Sequence, residues 1–116
     1  MTGFLNQMLF SPSTPAAVKT RITSEVTSRP PEFAIAIHEG VLAYDSVPAL
    51  KEVKVPIHAI NADMNPTNLE INRKYAPQFE AVIIKGSGHY PMLEDPILFN
   101  KLLTDYLQQL KKASPK

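Results

Sequence analysis

Apolar positions recur along this chain with two different rhythms, one in each half. The first half has helical spacing. Phe4, Leu5, Met8 and Leu9 fall at i, i+1, i+4 and i+5, a piece of one helix face. With no preceding sequence for that face to lean on, the segment reads as the remnant of a longer helix. Val18, Ile22 and Val26 then repeat at intervals of four. Thr14-Pro15 supplies an N-cap residue followed by a proline suited to the first helical position, so a helix is expected from there to Ser28. Pro30-Pro31 stops it. From Phe33 to Tyr44 the chain is mostly apolar, with Phe33, Ile37 and Val41 in one row and Ala34 beside them. A second helix fits, with His38 and Glu39 off the row; a strand is the alternative.

The second half alternates short β-branched runs with helical patterns, the signature of a βαβ unit. Val55-Pro56-Ile57-His58-Ala59-Ile60 gives one strand and Ala81-Val82-Ile83-Ile84 another, each near-continuously apolar, as strands buried on both faces are. A parallel pair is expected over residues 55–61 and 81–85. Between them Thr67 and Glu70 form a T-x-x-E capping box for a helix ending before Pro77. The connection is long enough for a right-handed parallel crossover. Asp95-Pro96 then opens a long last helix with an apolar stripe of Ile97, Leu98, Leu102, Tyr106, Leu107 and Leu110. Lys111 and Lys112 sit where its dipole favours cations, and residues 113–116 read as a frayed tail.

Composition narrows the function classes. Twelve Lys and Arg against eleven Asp and Glu leave a formal charge of +1 over 116 residues, so no global field favours nucleic acid or an anionic membrane. Neither nucleic acid nor membrane is expected as a partner. No apolar run approaches the ~20 residues of a membrane span, and the first ten residues carry no positive charge of a secretory signal. A cytoplasmic location is the expectation. Without cysteine there are no disulfides, thiolate metal sites or thiol nucleophiles. No cofactor is expected either. His38, His58 and His89 show no metal-ligand spacing, and Gly86-Ser87-Gly88 lacks the Lys-Ser/Thr and the immediate helix of a phosphate loop.

The most informative string is Gly86-Ser87-Gly88-His89-Tyr90-Pro91-Met92-Leu93-Glu94-Asp95-Pro96. It places one His in a Gly-flanked loop at the C-terminal end of a strand, where ligands and catalytic groups of open α/β sheets collect. Flanking glycines let the backbone turn and leave the imidazole unobstructed for proton transfer. An isolated loop His can also do no more than bond to its own turn.

In context the string resembles the segment that bears the catalytic histidine in the α/β-hydrolase family: strand, G-x-G-H, Pro two residues on, an acidic residue, then Pro opening the last helix. Residues 53–66 resemble the preceding family block, a short strand beginning Val-Pro and ending in the loop that carries the acid of the triad. Leu42 to Asp45 and Leu50 to Val53 resemble the stretch leading out of the cap. The resemblance covers residues 33–110 specifically and 1–30 loosely. It implies the C-terminal portion of an α/β-hydrolase fold, a short parallel sheet flanked by helices: a partial helical cap over 1–45, a βαβα core portion over 46–112 and a tail over 113–116. It implies His89 as general base and then acid in cleaving an ester or similar bond of a small-molecule substrate.

Two departures accompany the resemblance. The family's G-x-x-D pattern puts Asn65, followed by Pro66, at the acid position, and Asn cannot pair as an anion with an imidazolium. Asp63, two residues earlier, either takes the acid's place or caps its own loop; Asp45 is a third candidate that looks structural. The chain also contains no G-x-S-x-G, so neither a nucleophile elbow nor its oxyanion hole is encoded. Ser87, two residues before His89, is not expected to take the nucleophile's place. The expectation is therefore a C-terminal fragment, inactive alone, completed by an N-terminal half or paired as a homodimer. The alternative is a non-catalytic α/β-hydrolase-like module for protein association or ligand binding. Phe4, Met8, Phe10, Phe33 and Tyr44 either line an apolar pocket or pack helices, with packing favoured.

Overall fold

Side-chain caps and prolines decide where the elements of this chain begin and end. The computed structural model describes residues 2–113. In chain order the elements are α1 (Thr2–Leu9), α2 (Ala16–Thr27), α3 (Pro31–Ala43), α4 (Val47–Glu52), β1 (Ile57–Ala62), α5 (Leu69–Tyr75), β2 (Phe79–Ile84), α6 (Pro91–Glu94) and α7 (Pro96–Ala113). The result is a mixed α/β arrangement with a two-stranded parallel sheet, in register from Ile57 opposite Phe79 to Ala62 opposite Ile84. β1 starts after Pro56, which has no N–H for a ladder. The strand pair lies within two residues of the expected bounds.

Three local expectations are corrected. Thr14 does not cap α2: Pro15 is the N-cap, and the Thr14 hydroxyl accepts instead from Ser11 N at 2.9 Å. The Thr67/Glu70 box does not form, because Asn68 is the better-placed cap; its Oδ1 accepts from Ile71 N at 2.9 Å, and Thr67 Oγ1 accepts from Asn61 Nδ2. Residues expected to lead simply out of the cap form α4, whose first turn is tied by Asp45 Oδ1 accepting from Val47 N at 3.0 Å. The Asp95-Pro96 start of α7 is as expected, with Asp95 Oδ1 accepting from Leu98 N at 2.9 Å.

The core is thin. Phe10, Ile22, Ala76 and Ile84 are the buried hydrophobic residues among those described. The strands are mostly half-buried rather than covered on both faces, and Ile83 is exposed. α5 packs on β2, and α7 is held to β1 by His58 stacked on Tyr106, ring centroids 3.8 Å apart. α3 buries none of its residues: Phe33, Ile35, Ile37, Val41, Leu42 and the adjacent Tyr44 are all exposed. Phe33, Tyr44 and Met8 therefore neither pack nor line a pocket, while Phe10 packs; the side chains of Phe4 and Leu5 and the tail beyond 113 lie outside the described residues. The radius of gyration is 16.8 Å, against about 13 Å for a compact domain of this length. The accessible surface is 8902 Å², against about 6,300 Å² for a folded monomer of this mass. Among the described residues no helix is long and apolar enough to cross a membrane.

Candidate functional site

The two candidate residues lie in the loops that leave the C-terminal ends of β1 and β2, and the backbone of each loop is fixed by hydrogen bonds. Asp63 N donates to Ile84 O at 3.1 Å, extending the parallel ladder by one step, and Asp63 Oδ1 accepts from Gly86 N at 2.8 Å. This bond ties the two loops together. It satisfies the turn that Gly86 makes with φ +75°, a conformation glycine adopts without a Cβ penalty. Gly88 is needed for a different reason. A Cβ there would sit 2.7 Å from Leu9 O, 2.7 Å from Glu94 Oε1 and 2.9 Å from Ser11 N.

That close approach brings the turn between α1 and α2 onto the histidine loop. His89 N donates to Leu9 O at 2.8 Å, and the Ser13 hydroxyl donates to Gly86 O at 2.5 Å. Ser11 and Thr14, both buried, brace the turn from within. On the other side Glu94 accepts from Gly88 N at 2.8 Å and from the buried Ser87 hydroxyl at 3.1 Å. Ser87 is thus committed to Glu94 rather than to the imidazole, in keeping with its expected exclusion as a nucleophile.

The His89 ring itself is exposed, edge-on to Tyr90 with centroids 5.1 Å apart, and borders a cleft of about 550 Å³. The cleft runs along β1 and the following loop to α5. Besides His89, its polar side chains are four amides and one hydroxyl, Asn61, Asn65, Asn68, Asn72 and Thr67, and no Asp, Glu, Lys or Arg contributes. Asn65 therefore shares this cleft with His89, whereas Asp63 is not among its lining residues. Asp63 and His89 are brought to the same end of the sheet, but no hydrogen bond joins them among the described residues.

The other titratable candidates have structural surroundings. Asp45 holds the start of α4. His58, expected to be buried and hydrogen-bonded, is half-buried, and its buried Nδ1 lacks a hydrogen-bond partner; Glu80 Oε2 lies 3.7 Å away, beyond hydrogen-bond range. His38 is exposed on α3. No group of three or more potential metal ligands gathers among the described residues. Sequence reasoning missed Glu94 as the residue that organises the loop. Its only signal was an acidic residue six positions after Gly88, between two helix-opening prolines. No family model, curated protein or solved structure matches the chain.

Proposed function

We propose that this chain carries the histidine and carboxylate part of an α/β-hydrolase-type site that cleaves an ester or similar bond of a small-molecule substrate. The observation that carries the reading is the linkage of Asp63, after β1, to the Gly86–His89 loop after β2, at one end of a parallel pair. In the proposed site the exposed imidazole of His89 takes the proton of an attacking hydroxyl and returns it to the leaving group. Asp63 is the proposed carboxylate partner: a turn of the exposed His89 side chain toward the Asp63 oxygen not bonded to Gly86 would let that oxygen accept from Nδ1–H, fix the tautomer and stabilise the imidazolium. The partial helical cap is assigned to 1–45. The nucleophile and oxyanion donors come from additional polypeptide, an N-terminal half of the same fold, since the serines here have no glycine elbow. The isolated chain is therefore expected to hydrolyse nitrophenyl acetate no faster than free imidazole.

The test is NMR of the chain in solution. A slowly exchanging, low-field Nδ1 proton on His89 that disappears in Asp63→Asn and persists in Asn65→Asp supports the assignment. The same proton spectrum in the parent and in Asp63→Asn overturns it.

A second reading, association without chemistry, is favoured by α3, which exposes Phe33, Ile37 and Val41 in one row and Ile35 and Leu42 on its other side. The accessible surface exceeds that of a compact monomer by roughly 2,600 Å², more than the ~800 Å² per partner of a standard interface. Homodimerisation or docking of an N-terminal half covers such a surface. A concentration-independent monomer mass in sedimentation equilibrium would count against self-association.

A further inference from the structure

We infer that Glu94 is the positioning residue of the His89 loop, acting as one side of a clamp whose other side is the turn between α1 and α2. Four consecutive residues, Ser87 to Tyr90, each have a donor engaged. Glu94 Oε2 accepts from the Ser87 hydroxyl and from Gly88 N, and its Oε1 accepts from Tyr90 N at the longer distance of 3.4 Å. Leu9 O accepts from His89 N at 2.8 Å. The three bonds that Glu94 accepts thus bracket His89 on both sides, and the fourth, donated by the His89 amide itself, fixes it from the opposite face.

The chemistry selects a carboxylate. Three donors converge on one side chain, and an ionised carboxylate offers two acceptor oxygens with no hydrogen to place against them. Charge also makes these bonds stronger than neutral ones. Glutamine keeps one acceptor and aims an NH₂ group at donors. Reach matters as well: Glu94 ends the single turn of α6, whose Pro91 start and Tyr90 O to Glu94 N bond at 3.0 Å set its distance from the loop. On the far side, the missing Cβ of Gly88 is what lets Leu9 O and Ser11 N approach. His89 is left exposed at its ring and held at its backbone, the combination that a proton-transferring imidazole requires.

As a statement about catalysis this rests on the proposed hydrolase reading; as a statement about the loop it stands alone, and the experiment addresses the loop. In the isotopically labelled full chain, amide exchange at Gly88 and Tyr90 is compared with that at Ile60 and Val82 of the sheet, and the ring signals of His89 with those of His58. In Glu94→Gln, exchange at Gly88 and Tyr90 is expected to rise at least tenfold and the His89 ring signals to shift or broaden. The sheet amides and His58 should be unchanged. Glu94→Ala is expected to do more, and Ser87→Ala, which removes one donor and leaves the carboxylate, to do less. Parent-like exchange at Gly88 and Tyr90 in Glu94→Gln, or equal changes at His89 and His58, would overturn the assignment. Loss of the Asp63-dependent Nδ1 proton test with these effects intact would refute the hydrolase reading and leave the clamp standing.

Discussion

Replacing Gly88 by Ala separates two explanations for the glycines of the histidine loop. Gly88 does not have a positive φ, so Ala meets no left-handed backbone penalty there. The obstacle is contact: a Cβ 2.7 Å from Leu9 O and 2.9 Å from Ser11 N meets backbone, which cannot rotate away as the Glu94 carboxylate can. Relief requires the loop and the turn to separate by about half an ångström, which stretches the 2.8 Å bond from His89 N to Leu9 O. Overpacking of this kind costs about 1–3 kcal/mol, and weakening the hydrogen bond adds ~1 kcal/mol. Reduced freedom of the unfolded chain returns about 0.4–1 kcal/mol. The net expectation is a loss of about 1–3.5 kcal/mol, a large share of the stability of a small domain. In urea, with m of about 1–2 kcal/mol/M, the midpoint should fall by at least about 0.5 M. Gly86→Ala is the internal comparison. Its Cβ would meet nothing closer than Ser13 Oγ at 4.0 Å, so only the left-handed backbone is penalised, by about 1–2 kcal/mol. Gly86→Asn should recover part of that loss, and no such rescue is expected at Gly88. An unchanged urea midpoint in Gly88→Ala would refute the close-approach argument.

Asn68→Ala should destabilise by ~1 kcal/mol through loss of the α5 cap, while Glu70→Gln should stay within about 0.5 kcal/mol of the parent; both are read from urea denaturation. His58→Phe keeps an aromatic ring against Tyr106 and removes a buried nitrogen without a hydrogen-bond partner. It is expected to raise the melting temperature, consistent with a gain of about 1 kcal/mol. Gly40→Ala has nothing within 4 Å of the new methyl group and sits mid-helix in α3, so helicity by circular dichroism should rise, with stabilisation of about 0.5–1 kcal/mol. Sedimentation equilibrium should show mass rising with concentration, and Ile37→Glu together with Val41→Glu on exposed α3 should reduce that rise if the helix forms the contact.

Much of the local structure is legible because the signals are local. The β-branched runs, Pro56, Pro77 and the Asp95-Pro96 pair each act within a few residues, and the strands and α7 form where those residues indicate. The capping errors have one cause. Thr14, Thr67 and Asn68 all carry a suitable oxygen, and which of them caps depends on whether a tertiary partner claims it; Asn61 claims Thr67 and Ser11 claims Thr14. The candidate site is legible as a string, with His89 in its loop after β2, but the surroundings of Asp63 are not. Asp63 bonds to a backbone amide 23 residues away, a distance no motif spacing expresses. The same holds for Gly88, whose need for glycine comes from a turn near the start of the chain. The exposure of α3 contradicts its hydrophobic sequence, since apolarity indicates that a segment is to be covered without saying by what.

The contact between the turn at residues 9–14 and the histidine loop closes a ring of more than seventy residues: Ser13 meets Gly86 across 73 positions. Closing a flexible loop of that length costs about 4 kcal/mol beyond the fixed term, and the ring gains nothing until both ends have arrived. The sheet and α5 depend on contacts within about thirty residues of one another and can form before it. The histidine loop should accordingly be the last part of the chain to become ordered during folding and the first to loosen. A protease that trims the residues up to Thr14 would leave the βαβ unit intact and still unfasten a loop whose own sequence it never touched.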